Sequence, residues 1–388
     1  SMRRDTPLNG LVLDLRYNPG GLLDLAAFVS NLFVPKGDLV TGEDRSGRLT
    51  FRFPARSVEC YLGGVPTVVL VNRGSASAGE IVAEESVNFD EQFGDAYGVV
   101  NGVVDKGNGI IHSYPLMWLD GLESLLANLK ESGHDLSNIS AIAGSGQQHG
   151  TVYLNGTAGP ALAGMKSSRT LAEQLSGIFS RKTSPIWMDS STGRQCREIE
   201  AGVGGQDVLL ELTGNTAFER FSGPQIRKFY QDESEAYANT SRIGLVSSFI
   251  ASVLAGKHVS VDAGDGSGTN LMDIKSRSWS VPAMDATAQG LSDKLSPVTA
   301  SGTPAGPAHS YFVDRYGFSA DCQVFPFSGD NPCSLIGLGL VEPCVAFVET
   351  LDQLSGSPTL FIQFRSDLEL FHSVMRDVLS KFTCPVFK

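Results

Sequence analysis

Between two short alternating apolar runs, Ile139-Ser140-Ala141-Ile142 and Thr151-Val152-Tyr153-Leu154, the chain reads Ala143-Gly144-Ser145-Gly146-Gln147-Gln148-His149-Gly150. The flanking runs have the period of strands, so this stretch is predicted to link one strand to another. Its glycines let the backbone turn sharply and pass close to a neighbour. Gln147, Gln148 and His149 supply amide and imidazole groups suited to a hydroxyl-rich small molecule. An ordinary strand connection with polar surface residues is the alternative reading. A second polar cluster, Phe327-Ser328-Gly329-Asp330-Asn331-Pro332, lies far downstream, and much of the sequence between reads as scaffold that brings the two clusters together.

Length and charge narrow the classes. A chain of 388 residues can bury a substantial core and is expected to form two or three domains. With 43 glycines and 19% charged residues, it reads as α/β architecture with many loops. The formal net charge of -12 argues against a nucleic-acid surface or an anionic membrane surface, though not against a phosphorylated ligand held locally. Six cysteines (Cys60, Cys196, Cys322, Cys333, Cys344 and Cys384) are scattered without a CxxC pair, and no HExxH occurs. Neither a zinc site nor a disulfide framework is expected, and reduced thiols point to a cytoplasmic setting. No apolar run is long enough to predict a membrane span. The first residues read as the middle of a domain, so no targeting segment is legible there.

Gly10 to Arg16 reads as a buried strand ending in charged residues, Leu22 to Phe33 as a helix, and Thr67 to Asn72 as a second strand running into Arg73-Gly74-Ser75-Ala76-Ser77-Ala78-Gly79-Glu80-Ile81. Glu85 to Asp90 reads as the end of an extended strand. Leu116 to Glu131 is predicted as an amphipathic helix, with Asp120, Glu123 and Lys130 facing water. Pro185 to Ser191 is expected to be a strand ending in polar groups, with Asp189 either a ligand contact or a cap for the helix from Gly193 to Val203. Gln206–Thr213 and Gln225–Gln231 are predicted helices. Arg220 offers a forked donor for sugar hydroxyls or phosphate, or else a surface ion pair. Arg242 to Leu254 is predicted as one buried helix. Asp262 to Asn270 superficially suggests a calcium loop but lacks the twelfth-position glutamate. An amphipathic run is expected from Asp367 to Phe382.

Leu13-Asp14-Leu15-Arg16, Asn18-Pro19-Gly20-Gly21 and Asn72 through Glu80 resemble the C-terminal processing (tail-specific) serine peptidases. That resemblance covers residues 1–84 and implies that Ser77 occupies the position of the nucleophile. The glycine-flanked lysine expected beyond it is absent, and Lys106, the nearest downstream lysine, stands in other text. From about 85 to 340 the chain resembles the eukaryotic xylulose kinases of the FGGY group. The resemblance rests on Ser113 through Leu119, Gly144 through Gly150, Trp187-Met188-Asp189-Ser190-Ser191, Phe218-Glu219-Arg220-Phe221, Gly223 through Lys228, Asp265-Gly266-Ser267-Gly268 and Ser328 through Leu335.

This second resemblance implies an α/β fold of ribonuclease-H-like or actin-like type, the N-terminal domain of an FGGY kinase in incomplete form behind a peptidase-like fragment. Residues 341–388 form a tail matching neither family. The implied reaction is ATP-dependent phosphorylation of D-xylulose to D-xylulose 5-phosphate, with Mg2+ accompanying the ATP. By resemblance His149, Arg220, Asp330 and Asn331 bind the sugar, Asp330 is also the general base, and Gln148 and Asp189 shape the pocket. The family's phosphate-binding turns and nucleotide domain have no counterpart in the text. Impaired transfer is therefore expected, no nucleotide-binding residue is assigned, and no metal ligand is named. The alternatives are a serine peptidase acting through Ser77 and a sugar-binding or inert fusion fragment without catalysis.

Overall fold

One strand has no solvent face, and it sets the layering. Thr151–Asn155 alternates in the usual way, but both of its faces are covered. Val152 and Leu154 pack into one apolar cluster, with Met117, Leu122, Ile142, Phe249 and Phe312. Tyr153 points the other way, into a second cluster with Ile226, Phe229, Ile243 and Leu271. A sheet strand buried on both sides requires a layer of helices on each, which is the α/β arrangement the composition suggested.

The structure is a computed structural model. It describes residues 86–337 continuously, and also 11–14, 23–34, 36–43, 49–57, 67–70 and 361–365. The described residues divide into two units, broken after Glu85. In the first, Leu11–Asp14 pairs in parallel with Thr67–Leu70, and Asp38–Glu43 pairs antiparallel with Leu49–Pro54. The helix Leu23–Asn31 ends where Asn31 donates to the carbonyl of Arg56 at 3.0 Å and accepts from its N–H at 2.5 Å. Ser77 and the run from Asp367 to Phe382 lie outside the described residues.

In the second unit Ala141–Gly146 is the organising strand. Gln323–Val324 and Ser328–Gly329 both pair with it in parallel, Gln323 opposite Ala141 and Gly329 opposite Gly146. Phe361–Arg365 also pairs with it, and Thr151–Asn155 pairs antiparallel with Thr240–Leu245. The helix Pro115–Glu131 starts with proline in its first turn, where the missing N–H has no partner to lose. Its inner face of Met117, Trp118, Leu122, Leu126 and Leu129 covers the sheet. Among the described residues no helix is long and apolar enough to cross a membrane.

Several expectations need correction. Phe89–Tyr97 is a helix rather than a strand end, because Asn88 caps it by accepting from Asp90 and Glu91 and Gly98 closes it in the left-handed region. The stretch from Pro185 is strand only at Ser184–Pro185, where it pairs with Ile111–Ser113, and it then turns. Arg242 to Leu254 is two elements, the strand Thr240–Leu245 and the helix Val246–Ala255. The strand's buried Ile243 and Leu245 run straight into a wholly buried helix, so the apolar letters could not mark the break. Glu123 does not face water: it is buried, accepts from Leu171 N at 2.8 Å and from the Tyr311 hydroxyl, and lies 3.4 Å from Arg315. Asp262 to Asn270 forms two short helical turns, Ala263–Gly266 and Ser267–Thr269.

Candidate functional site

Parallel register joins the two polar clusters. With Gly329 opposite Gly146, the next residues of the two segments leave the sheet at the same end. Gln148 N–H donates to Asp330 Oδ1 at 3.0 Å, a contact between residues 182 apart in sequence. Asn331 N–H donates to the same oxygen at 2.9 Å, and Asn331 Nδ2 donates to Gln148 Oε1 at 2.9 Å. Asp330 opens the helix Asp330–Gly337, where the axial dipole and free N–H groups favour a negative side chain. The close fit depends on Gly329: a Cβ there would sit 2.5 Å from Gln148 Cγ and 2.9 Å from Asp265 Oδ1.

His149 is the strained member. Its φ is +74°, a left-handed backbone that non-glycine residues seldom adopt outside sites where surroundings enforce it. Three contacts hold it there. Its Nδ1 lies 2.7 Å from the Gly268 carbonyl, its own carbonyl accepts from Ser222 Oγ at 2.9 Å, and its ring packs on Phe221 with centroids 4.6 Å apart. A carbonyl has no proton to give, so Nδ1 must be the donor and Nε2 the unprotonated acceptor. Burial, reinforced by the Arg220 charge and opposed by the Gly268 carbonyl, holds the imidazole down to about 4. The neutral ring therefore offers Nε2 to a hydroxyl donor.

Arg220 is half-buried, stacks over Phe218 at 4.7 Å, and is near enough to be felt electrostatically at His149. The structure thus gathers Gln148, His149, Asp330 and Asn331 by direct hydrogen bonds and chain adjacency, with Arg220 brought alongside. Asp189 lies apart. It is 1% exposed, and its oxygens accept from Ile111 N at 3.0 Å, Ser191 N at 2.9 Å, Ser191 Oγ at 2.6 Å and Gln225 Nε2 at 2.8 Å. His112 Nε2 is 3.7 Å away but forms no ion pair. Burial, with Arg181, Lys106 and Lys228 nearby, holds that imidazole down to about 2.

Two buried residues at the site escaped the sequence reading. Asp265 accepts from Ser247 Oγ through Oδ2, while its buried Oδ1 has no hydrogen-bond partner. Burial, opposed by the Ser247 bond and reinforced by the charges of Asp262 and Asp330, lifts its carboxyl well above the usual range. Burial also raises Asp262, against hydrogen bonds that favour its anion, such as that from Ser328 at 2.5 Å. Both lie in the run Asp262 to Asn270, whose likeness to a calcium loop already failed at the twelfth position. Their burial, which disfavours the anion in both, makes them part of the wall, and among the described residues no group of three or more His, Cys, Asp or Glu is arranged to hold a metal ion.

Comparison with known proteins finds likenesses in both parts of the chain. The description "FGGY family of carbohydrate kinases, N-terminal domain" matches residues 182–337, and "Peptidase family S41" matches residues 2–88. Xylulose kinase 2 of Arabidopsis thaliana is 46% identical over 265 residues, 68% of this chain and 47% of that protein. Xylulose kinase of Rattus norvegicus is 44% identical over 280 residues, 72% of this chain and 51% of that protein. The chain spans about half the length of these curated relatives. Among solved structures, a kinase from Brucella ovis (TM-score 0.52, 22% identity) and the xylulose kinase of Rhodospirillum rubrum (TM-score 0.52, 16% identity) each align over 62% of this chain and 45% of theirs, and they share its fold. Residues 182–337 therefore match the N-terminal domain of the FGGY carbohydrate kinases and residues 2–88 match peptidase family S41, in a chain homologous to xylulose kinases over 68–72% of its length.

Proposed function

We propose that residues 85–340 bind D-xylulose and that Asp330 acts as general base in its phosphorylation to D-xylulose 5-phosphate. Residues 1–84 are on this reading a separate peptidase-derived segment and 341–388 a tail of its own. The observation that carries the proposal is the junction of Asp330 and Asn331 with Gln148 and His149 at one end of the Ala141–Gly146 strand. Asn331 and Gln148 offer amide groups, His149 Nε2 accepts, and Arg220 donates, so one ketose can meet donors and acceptors at successive hydroxyls. Asp330, anchored through Oδ1 by two N–H groups, takes the proton of the attacking hydroxyl as the new phosphoester bond forms. Asp189 has its oxygens occupied and supports the site from behind rather than touching sugar.

The phosphoryl donor on this reading is ATP with Mg2+, which supplies the transferable group and the charge neutralisation. Among the described residues no group of three or more His, Cys, Asp or Glu forms a metal-holding cluster. The peptidase alternative has the match over residues 2–88 behind it, without a described contact of Ser77. The test is a coupled assay of xylulose-dependent ATP consumption with calorimetric binding of D-xylulose, on the wild-type chain and Asp330→Asn. The expected result is retained sugar binding with turnover lowered at least ~100-fold. Undiminished turnover in Asp330→Asn would remove the role assigned to it.

A further inference from the structure

Behind the sugar face lies a buried bridge whose centre is Gln225. Its side-chain nitrogen lies 2.8 Å from Asp189 Oδ1 and 3.0 Å from the carbonyl of Glu219. Both neighbours are acceptors, so both amide hydrogens are spent and the orientation of the amide is fixed by chemistry. The Glu219 carbonyl accepts a second bond from Thr192 Oγ1 at 2.5 Å. Gln225 and Thr192 are 3% exposed or less, and Asp189 is 1% exposed. Asp189 is itself locked by Ile111 N and Ser191, so the bridge is anchored to a different part of the chain.

What the bridge holds is the peptide between Glu219 and Arg220. That peptide sits in a tight turn closed by Phe221 N–H to the Phe218 carbonyl at 3.0 Å. The turn presents Arg220 over the Phe218 ring on one side and Phe221 against His149 on the other. Rotating the Glu219 carbonyl would swing both together. An exposed turn with a long cationic side chain otherwise samples many orientations, and binding would have to select among them.

We propose that Gln225, held by Asp189 and seconded by Thr192, is a positioning residue that presets the Phe218–Phe221 turn so that Arg220 meets the sugar. It touches no substrate. The proposal rests on the reading of Arg220 as a sugar contact, and the experiment separates the two. D-xylulose affinity is measured by calorimetry on the full chain for wild type, Gln225→Met, Arg220→Ala and the double variant, with circular dichroism and thermal melting as folding controls. Gln225→Met keeps bulk but removes both donors. The expected result is that each single variant weakens binding ~10-fold and that the double variant is no weaker than Arg220→Ala alone, because the bridge acts through Arg220.

Full affinity in a folded Gln225→Met, or multiplicative losses in the double variant, would overturn the proposal while leaving Arg220 as a sugar contact. Wild-type affinity in Arg220→Ala would overturn both readings. Should Gln225→Met not fold, Thr192→Val and Thr192→Ser replace it: valine removes the second donor to Glu219 and should weaken binding, while serine restores the hydroxyl and should recover it. Equal affinities in valine and serine variants would count against the bridge.

Discussion

Asp189 and Asp265 are each 1% exposed, and there the similarity stops. Four donors converge on Asp189, from Ile111, Ser191 twice and Gln225. Asp265 has Ser247 alone on one oxygen and nothing on the other. Donor supply separates the two roles. Asp189 ties three segments of chain together, whereas Asp265 is driven to hold its proton by burial and by Asp262 and Asp330. The raised carboxyl of Asp265 disfavours a second negative charge near Asp330, the residue proposed to need its own charge for catalysis. Burial alone thus says little about what a carboxylate is for; the count of donors aimed at it says more.

The largest expected effect tests that contrast directly. Asp189→Ala strands the buried amide of Gln225 and takes the acceptor from the half-buried N–H groups of Ile111 and Ser191, and should lower stability by about 4 kcal/mol. Asp265→Asn keeps an acceptor for Ser247 and removes a carboxyl whose anion burial already disfavours, so it should stay within about 1 kcal/mol of wild type. Urea unfolding at neutral pH measures both. Equal losses in the two variants would mean that donor count does not distinguish these pockets.

The second effect is on pH dependence. His149 is held down to about 4, below its unfolded value near 6.5. Between those values the unfolded chain binds a proton that the folded chain refuses, so stability rises with pH across this window and is lost as pH falls through it. The term is on the order of 3 kcal/mol for a fully buried ring. His112, held down to about 2, acts in the same direction. Asp265 acts in the opposite one, favouring the fold at low pH and losing that contribution as pH rises towards its elevated value. His149→Asn isolates the imidazole, since asparagine tolerates the left-handed backbone and can still donate to Gly268. Unfolding curves between pH 4 and 7 should be flatter for this variant than for wild type. An unchanged slope would show that His149 titrates normally in the fold.

Much of this was legible in the letters. The helices Gly193–Val203 and Gln206–Thr213 match their predicted bounds, because each ends at a glycine in the left-handed region that local sequence announces. The two clusters, Gly144–Gly150 and Ser328–Asn331, were recognisable by composition and by family likeness. Their meeting was expected as well, but the parallel register that makes it was not legible, since strands so far apart leave no local signature. Gln225 was invisible for another reason. A glutamine in a helix reads as surface, and only the carbonyl of Glu219 on one side and Asp189 on the other reveal it as a bridge. Asp265 was named within a calcium-like run that the missing glutamate argued against, and nothing in the letters told of its burial.

The smallest effect separates stability from binding within the Asp265 side of the comparison. Gly268 keeps an ordinary backbone, but a Cβ there would lie 2.7 Å from Gln148 Nε2 and 3.0 Å from His149 Cε1. Gln148 is the softer neighbour, since its amide ends a flexible side chain and its nitrogen meets the Gly264 carbonyl at only 3.5 Å. Gly268→Ala should therefore displace that amide from Asn331 rather than open the core, and the reduced freedom of the unfolded chain offsets part of the cost. Stability should change by less than about 1 kcal/mol while D-xylulose affinity falls ~10-fold. The same two measurements on Asp189→Ala should give the reverse ranking, with stability hit first. If Gly268→Ala instead lost several kcal/mol and the folded fraction bound sugar normally, both carboxylate pockets would be structural, and sugar binding would have to be sought elsewhere in the chain.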